Sequence, residues 1–444
     1  MKGGVILRRL ALSRLREPSL ARDGTHAGSE NVAYAPPMLR PLPRLLALYA
    51  AMFAAFGVAS PFVPALLASK GLTLTRISLV MAAATAIRLF AGPLGGGLTD
   101  RTGAPERVLA VLLIAGAVVV LVYLPAAGFA LLAAVGVAAA AMQAPLVPIA
   151  DALALAAADG ERRFRYGWVR GTGSAAFVAG TVLSGFAIAR FGPRALVWLS
   201  AGLLLATAAV ALRLPRAQIL RPAQAKDAGS PIRLRIGSPG MLSLLRLPWF
   251  ARLLLIAALV QGSHAMHDSF AVIRWGAGGI GPGAAGLLWS EAVIAEVIVF
   301  LWLGGWLLDR LGPSGAAILA ALAGILRWSV MARTAWLPAM ALIEPMHGFT
   351  FAQLHLACMR VMDDLVPAHL AARAQALYGT VAIGAATVAL TLLSGPLYAS
   401  FGARAFLPMA GLCAIAVPLA RGLPESAIRS RTDNPADTSS PPPG

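Results

Sequence analysis

Four ionisable residues, Arg88, Glu296, Arg327 and His347, lie within long apolar stretches of the sequence. If these stretches cross a bilayer, a charge near its centre costs about 2.5–3.5 kcal/mol on insertion scales, so such residues usually face a cavity. Glutamate and histidine can take up and release protons, and the planar guanidinium of arginine matches a carboxylate. These residue types therefore predict a proton site and an anion site in one polar pathway.

An eight-residue pattern occurs twice, and the offset of 209 residues (305 − 96) between its copies indicates a duplicated chain. The pattern Gly-x-x-x-Asp-Arg-x-Gly is formed by Gly96, Asp100, Arg101 and Gly103, and again by Gly305, Asp309, Arg310 and Gly312. An acid beside a base at a helix end can form a salt bridge in one conformational state and lose it in another. The pattern could therefore act in a conformational change or be a simple loop-capping cluster.

The pattern also gives the depth of two candidates. Arg88 precedes Asp100 by 12 residues (100 − 88), and Glu296 precedes Asp309 by 13 (309 − 296). At 1.5 Å per residue both lie about 18–20 Å from the same helix ends, near the midplane where transporters bind substrates and ions. Glu296 could instead be a structural partner of Arg327 or Arg88. Glu291 lies on a different helical face from Glu296 and is the weaker candidate.

Asp151 and Arg170 form a second candidate pair. Asp151 lies near the end of one predicted span and Arg170 near the start of the next. Because consecutive spans run antiparallel, the two charges reach the same depth, and we expect them to pair. The pair either binds substrate or is a purely structural bridge.

Further polar residues accompany these candidates. His264, His267 and Asp268 are predicted to line a cavity, because two histidines without a further ligand are a weak zinc signal. His355 is assigned either to packing or to a backbone hydrogen bond. No metal site or cofactor is predicted, and Cys358 and Cys413 lie in apolar stretches as packing residues. No catalytic serine elbow or phosphate loop is present, so an enzyme is not expected.

The elements that position these residues are membrane spans. With 58% hydrophobic and 13% charged residues and a mean hydropathy of +0.75, the 444-residue chain has more apolar surface than a soluble protein can bury. Apolar segments long enough to span a bilayer lie near 44–69, 76–97, 107–126, 129–156, 165–190, 194–213, 247–274, 283–307, 314–332, 335–361, 372–400 and 404–421. We predict an all-α integral membrane protein with 12 transmembrane helices, a six-helix half at 44–213 and another at 247–421.

Charge predicts the orientation. Most of the 37 Lys and Arg residues fall in the tails and in the loops on their side of the membrane. The seven near the opposite ends are Lys70, Arg76, Arg190, Arg194, Arg274, Arg333 and Arg404. The positive-inside rule then makes both termini cytoplasmic, in a bacterial inner membrane.

Residues 1–43 and 422–444 are predicted as disordered tails and 214–246 as a cytoplasmic linker. An initiation site at Met38 is an alternative explanation for the basic N-terminus. The net charge of +18 is scattered over short loops, so nucleic-acid binding is not expected.

The predicted spans, the duplicated pattern and the long central loop resemble the major facilitator superfamily of transporters. Within it, the chain resembles the 3-phenylpropionate permease group, itself similar to lactose-permease-type proton symporters. The segments that carry this resemblance are 148–154, 166–174, 288–297, 326–328, 347–351 and 355–360. The resemblance implies the major facilitator fold, an acid–arginine substrate pair at Asp151 and Arg170, and a proton-coupling histidine at His347. It also implies that the duplicated pattern with Asp100 and Asp309 is a conformational latch between the halves.

One departure from that group concerns the proton acceptor. The group has an acid three residues after the histidine, where this chain has Thr350, while Glu344 precedes His347 by three residues. Glu296 or Glu344 could take that role. We therefore expect a monomeric proton symporter of a small organic solute, with an organic acid, aromatic or otherwise, favoured and the proton gradient as its energy source. A sugar or nucleoside symporter, a drug or metabolite efflux antiporter, and a non-transporting sensor or assembly factor remain alternatives.

Overall fold

The computed structural model describes residues 41–161, 166–214 and 243–424. Every element assigned within these ranges is helical. The two predicted tails and the predicted linker lie almost wholly outside the described residues, and the first helix begins at Pro41, three residues before the predicted span.

The first six predicted spans correspond to eight helices. They are α1 (Pro41–Ala59), α2 (Val63–Ser69), α3 (Leu74–Thr102), α4 (Pro105–Val122), α5 (Phe129–Gln143), α6 (Leu146–Glu161), α7 (Tyr166–Phe191) and α8 (Arg194–Ala211). Local sequence explains several of these boundaries. The Thr73 side chain accepts a hydrogen bond from the Arg76 amide at the start of α3, and Pro105 opens α4 at a position where its missing N–H costs nothing.

The second half is more irregular. Its α-helices are α9 (Pro248–Gly262), α10 (His264–Ala277), α11 (Pro282–Ile298), α12 (Gly304–Arg333), α13 (Leu337–Ile343), α14 (Leu354–Leu365), α15 (Ala371–Leu377), α16 (Ala386–Phe401) and α17 (Phe406–Ala420). Three π-helical segments, Val299–Leu303, Gly348–Gln353 and Tyr378–Ala385, interrupt what would otherwise be longer helices.

The helices are consistent with the 12 predicted spans. Within the described residues, nine continuous helical stretches are long and apolar enough to cross a membrane. Two of them, Pro282–Arg333 and Ala368–Ala420, have 52 and 53 residues, about twice the length that one bilayer requires. The first divides at Gly312, whose φ of 69° is left-handed. Each of these two stretches is long enough for two membrane spans, and the helices from α13 to α14 provide one more. The nine stretches are thus consistent with 12 spans.

The duplicated pattern ends a helix in both halves. Gly103 (φ 60°) and Gly312 (φ 69°) adopt the left-handed conformation that glycine accommodates without strain. We call the end of the helical bundle where these residues lie the motif end, and the opposite end the far end. The two halves also repeat their packing, since α4 packs on α8 as α12 packs on α17.

The two halves contact each other along α3 with α16 and α7 with α11. Near the far end these backbones approach closely: a side chain at Gly286 would lie 2.9 Å from the Thr181 carbonyl oxygen, and one at Gly395 would overlap Ser78. Toward the motif end, no described atom outside their own helix backbone lies within 4 Å of the Cβ positions of Gly96 on α3 or Gly171 on α7. The described helices therefore hold the halves together at the far end.

Candidate functional site

A cavity of about 780 Å³ lies between the two halves. Its walls are mostly apolar, with a few polar side chains, which is typical of small-molecule sites. The charged and strongly polar side chains that line it are Arg88, Gln143, Gln261, His264, His267, Asp268, Glu296 and His347. Three of the six residues predicted for the pathway, Arg88, Glu296 and His347, therefore line one cavity. Within the described residues, Asp151, Arg170 and Arg327 do not line it.

Irregular helix geometry positions Glu296 and His347. Glu296 lies in the last turn of α11, directly before a π-helical segment, and His347 lies between a 3₁₀ turn and a second π-helical segment. A side chain at Gly348 would lie 2.7 Å from the Ala295 carbonyl oxygen, so glycine allows the two backbones to approach. Such π-helical insertions often occur at functional sites.

Arg327 connects a buried acid to His347. Its guanidinium lies 2.6 Å from Glu344 Oε2, and both side chains are fully buried. A second guanidinium nitrogen lies 3.2 Å from His347 Nδ1. The other ring nitrogen, Nε2, lies 3.4 Å from Glu296 Oε2. Glu344, Arg327, His347 and Glu296 thus form one chain that leads from the protein interior to the cavity.

The donors in this chain fix the tautomer of His347. Arginine can only donate hydrogen bonds, so Nδ1 of His347 must accept and carry no proton. The imidazole proton then resides on Nε2, which lies 3.4 Å from the Glu296 carboxylate. A proton added at Nδ1 would therefore remove the acceptor that Arg327 uses. The side chains of Glu296 and His347 are 25% and 17% exposed, so this end of the chain is open to the cavity.

His267 joins the same cluster from α10. Its Nε2 lies 3.2 Å from Glu344 and its Nδ1 lies 3.4 Å from Asp268. The ring stacks on Trp289 at 4.9 Å between centroids. His264 is held differently, with Nδ1 at 3.0 Å from the Gln261 carbonyl and Nε2 at 2.9 Å from the Thr350 hydroxyl.

Sequence reasoning treated His267 as lining and Glu344 only as an alternative proton acceptor. The structure makes Glu344 the partner of Arg327. The available signal was its position three residues before His347, on the same side of a helix. His355, predicted to serve in packing or in a backbone hydrogen bond, has its Nδ1 at 3.2 Å from the Tyr378 hydroxyl.

Asp151 and Arg170 lie together outside the cavity lining. The guanidinium is 3.7 Å from the carboxylate, and the side chains are 45% exposed for Arg170 and 29% for Asp151. Tyr49 donates a short hydrogen bond to Asp151, and the guanidinium lies over the Phe53 ring, 5.2 Å from its centroid. The expected contact is thus present, at a site more exposed than that of Arg327 and Glu344.

Arg88 differs from the other arginines of the site. It lines the cavity and makes no hydrogen bond or ion pair with any described residue. Gln143 lies 14 residues from the start of its helix (143 − 129), as Arg88 does (88 − 74), and both helices start at the far end. The two side chains therefore stand at the same depth, with donors available to a ligand.

The latch residues lie at the motif end. Asp309 accepts a hydrogen bond from Arg360 of α14 at 3.2 Å, a contact within the second half. Arg310 lies over the ring of Trp306, 4.3 Å from its centroid. Asp100 makes no ion pair within the described residues. Among those residues, no group of three His, Cys, Asp or Glu side chains could hold a metal ion.

Comparisons with known proteins agree with this architecture. Residues 42–408 match the family model described as "MFS_1 like family". The chain is 32% identical over 373 residues to the "Probable 3-phenylpropionic acid transporter" of Escherichia coli K12, covering 83% of this chain and 94% of the relative. It is 26% identical over 375 residues to the "Maltose permease" of Geobacillus stearothermophilus, covering 83% and 90%.

Solved structures show the same fold. The nucleoside transporter NupG superposes with a TM-score of 0.74 at 15% identity, covering 87% of this chain and 98% of that chain. A bacterial homologue of the human lysosomal transporter Spinster, in an inward-facing and unoccupied conformation, gives a TM-score of 0.64 at 15% identity, covering 88% and 96%. At these identities the likeness concerns the fold alone.

Proposed function

The chain belongs to the MFS_1-like family of multi-pass membrane transporters, and from this premise we propose that it imports a small organic acid together with protons. The observation that carries the proposal is the chain from Glu344 through Arg327 and His347 to Glu296, which ends in the cavity between the two halves. It offers a proton-binding carboxylate at a depth where transporters of this kind bind ions.

Glu296 is the proton acceptor that the geometry favours. Glu344 is fully buried against Arg327, whereas Glu296 is partly exposed, and its one ion-pair contact among the described residues is with His347 Nε2 at 3.4 Å. A protonated Glu296 carries no charge, so it can move through an apolar interface at little cost, while the ionised form is held by His347 and water. Proton uptake at Glu296 therefore favours the movement of one half against the other.

The cavity supports an anionic, aromatic substrate. Arg88 supplies a cation that has no hydrogen-bond or ion-pair partner among the described residues, and Phe56, Phe177, Trp289 and Phe351 line the walls. A guanidinium binds a carboxylate through two parallel hydrogen bonds, and aromatic walls suit a ring. The relative named a probable 3-phenylpropionic acid transporter carries the same implication.

The orientation belongs to the same proposal. With the motif end cytoplasmic in the inner membrane, as the loop charges indicate, the close contact at the far end is an outer seal. The structure then represents an inward-facing state. Alternating access requires the halves to separate at the far end and meet at the motif end.

The test is uptake into proteoliposomes under an imposed pH gradient, with 3-phenylpropionate as the first substrate. Wild type accumulates the acid, and dissipating the gradient stops accumulation but spares exchange. Glu296→Gln exchanges but does not accumulate. Glu291→Gln is the matched control, because Glu291 lies on the same helix outside the cavity lining, and it accumulates normally. Accumulation by Glu296→Gln at the wild-type level contradicts the assignment.

Sugar symport is the second candidate, favoured by the maltose permease relative. Maltose carries no charge, so it leaves Arg88 without a counter-ion. Uptake into the same vesicles distinguishes organic-acid symport from sugar symport. Gradient-driven uptake of maltose without uptake of the acid rejects organic-acid symport in favour of sugar symport. Substrate release driven by an inward proton gradient indicates an efflux antiporter, and the absence of any solute binding indicates a non-transporting protein.

A further inference from the structure

The cavity contains an acid that the proposed proton chain does not use. Asp268 of α10 lines the cavity, and 53% of its side chain is exposed there. Its one polar contact among the described residues is with His267, whose Nδ1 lies 3.4 Å from Asp268 Oδ1. The second carboxylate oxygen, Oδ2, makes no hydrogen bond or ion pair within the part of the chain that the structure describes. Asp268 therefore offers a free acceptor to a ligand in the cavity.

Opposite charges face this cavity from opposite halves. Arg88 of the first half is exposed and lines the cavity, as Asp268 of the second half does. Their helices, α3 and α10, contact each other, yet within the described ranges no ion pair joins the two side chains. Charges at membrane depth are costly, and those that face a cavity usually mark a substrate or ion site. A ligand that carries both signs of charge would satisfy both residues.

The two charged residues lie close enough in depth for one small ligand. Arg88 is 14 residues (88 − 74) from the start of α3, and Asp268 is nine residues (277 − 268) from the end of α10, both counted from the far end. The difference of five residues corresponds to about 7.5 Å along the bundle. In a helix each Cα–Cβ bond tilts toward the N-terminus. Because α3 begins at the far end and α10 ends there, the two side chains start out toward each other's depth.

The space beside these charges has accessible aromatic walls. Phe56, Phe177 and Phe351 line the cavity and are partly exposed. A ligand carboxylate held by the Arg88 guanidinium leaves these walls for an aromatic ring. A simple aryl acid, however, brings a second negative charge beside Asp268, and an unpaired charge of this kind selects against such a ligand.

Resting on the proposed function, we propose that the preferred organic acids are zwitterions, namely aryl amino acids whose carboxylate binds Arg88 and whose ammonium binds Asp268. The aromatic walls hold the ring. Arg88 then selects for the anionic group of the ligand, and Asp268 selects for its cationic group. Because His267 contacts both Asp268 and Glu344, the ammonium site adjoins the buried ion cluster of the second half.

The experiment measures equilibrium binding to purified protein at one neutral pH and without a gradient. The probes are phenylalanine, 3-phenylpropionate, which is phenylalanine without its ammonium, and phenethylamine, which is phenylalanine without its carboxylate. Wild type binds phenylalanine at least about tenfold more tightly than either of the other two, because each of them lacks one charge-assisted contact. This comparison uses the native protein, so it does not depend on whether a variant folds.

Two substitutions separate the two charges. Asp268→Asn keeps the size of the side chain and an oxygen that can accept the His267 bond. It weakens phenylalanine and phenethylamine at least about tenfold but does not weaken 3-phenylpropionate. Arg88→Gln weakens phenylalanine and 3-phenylpropionate by a similar factor but does not weaken phenethylamine. Glu291→Gln is the matched control, because it removes a carboxylate of the second half outside the cavity lining, and all three affinities stay as in wild type.

Two results overturn the proposal. One is a wild type that binds phenylalanine no more tightly than 3-phenylpropionate. The other is an equal effect of Asp268→Asn on these two probes, including no effect on either, which shows that Asp268 serves only to position His267. Its failure is distinct from that of the proposed function. Gradient-driven uptake of 3-phenylpropionate without a preference for phenylalanine rejects only the zwitterion site. The crossed pattern of the two variants without gradient-driven uptake rejects only the proton coupling.

Discussion

At the scale of single residues, the two halves contain ion pairs with very different environments. Arg327 and Glu344 are fully buried and contact each other at 2.6 Å, whereas Arg170 and Asp151 are partly exposed and 3.7 Å apart. A buried charge that loses its partner is strongly destabilising, and an exposed one is rescued by water. The two pairs should therefore respond differently to the same substitution.

We expect Glu344→Gln to destabilise the protein more than Asp151→Asn. The first change leaves the Arg327 guanidinium uncompensated, at a cost of about 3–5 kcal/mol for a buried pair. The measurement is thermal unfolding of each variant in one detergent. Glu291→Gln serves as the control for removing an unpaired acid from a neighbouring helix. Equal unfolding temperatures for the Glu344 and Asp151 variants contradict the assignment of Arg327 and Glu344 as a structural ion pair.

Sequence reasoning reached some of these residues and not others. Arg88, Glu296 and His347 were identifiable because a charge within an apolar stretch is rare and expensive. The contact of His267 with Glu344 was not, because it joins two separate helices and only the packing brings the two side chains together. The partner of Arg327 depended on a 3₁₀ turn at Glu344–Met346 that periodicity does not predict.

At the scale of elements, the ends of α3 and of the segment before Gly312 carry the same motif in different environments. Asp309 pairs with Arg360 of α14, while Asp100 makes no ion pair within the described residues. The Asp309 side chain is 69% exposed, so its pair contributes little to stability. A role in conformational exchange therefore remains a prediction for both residues.

We expect Asp100→Asn and Asp309→Asn to slow transport while leaving substrate affinity close to wild type. Both residues lie at the motif end, 12 and 13 residues beyond Arg88 and Glu296 (100 − 88; 309 − 296), so they do not reach the cavity. Exchange rates in vesicles and binding at equilibrium give the two quantities. Asp364→Asn, an exposed acid at the end of α14, is the control. A large loss of affinity in a well-folded Asp309 variant contradicts the latch.

The helix boundaries were largely predictable, and the interruptions were not. Proline at the first turn of α4 and glycine at 103 and 312 mark helix ends by backbone chemistry. The three π-helical segments occur in mainly apolar sequence, where one extra residue in a turn leaves no clear periodic signal. Two of them flank Glu296 and His347, so the element that sequence reasoning missed is the one that positions the candidate proton site.

At the scale of the whole molecule, the two halves are held together near the far end by glycines that permit backbone contact. Gly395 of α16 lies against Ser78 and 2.9 Å from the Leu74 carbonyl, measured from the position its Cβ would take. This seal is a property of the pair of halves, because neither half alone contains both surfaces. Its strength should set how often the cavity opens at that end.

We expect Gly395→Val to shift the protein toward the state that is open at the far end. The added side chain cannot fit while α3 and α16 remain in contact. Distances between spin labels across the far end, measured in the absence of substrate, report the shift. Both native cysteines, Cys358 and Cys413, are buried, so labels can be directed to introduced cysteines.

Gly411→Val is the control, since nothing lies within 4 Å of the Cβ position there. Longer distances across the far end are expected only for the Gly395 variant. Unchanged distances in a folded Gly395→Val protein show that this contact does not determine which side is closed.

The division of the cavity between the two halves has a consequence for how such a protein diversifies. Arg88 and Gln143 come from α3 and α5 of the first half, whereas Glu344, Arg327, His347 and Glu296 come from the other half. Mutations around Arg88 therefore leave the ion cluster untouched. Gene duplication supplied two similar six-helix units, and their separate tasks let one change under selection for new nutrients while the other is kept. Directed evolution of substrate range should accordingly concentrate its libraries on the cavity residues of α3 and α5.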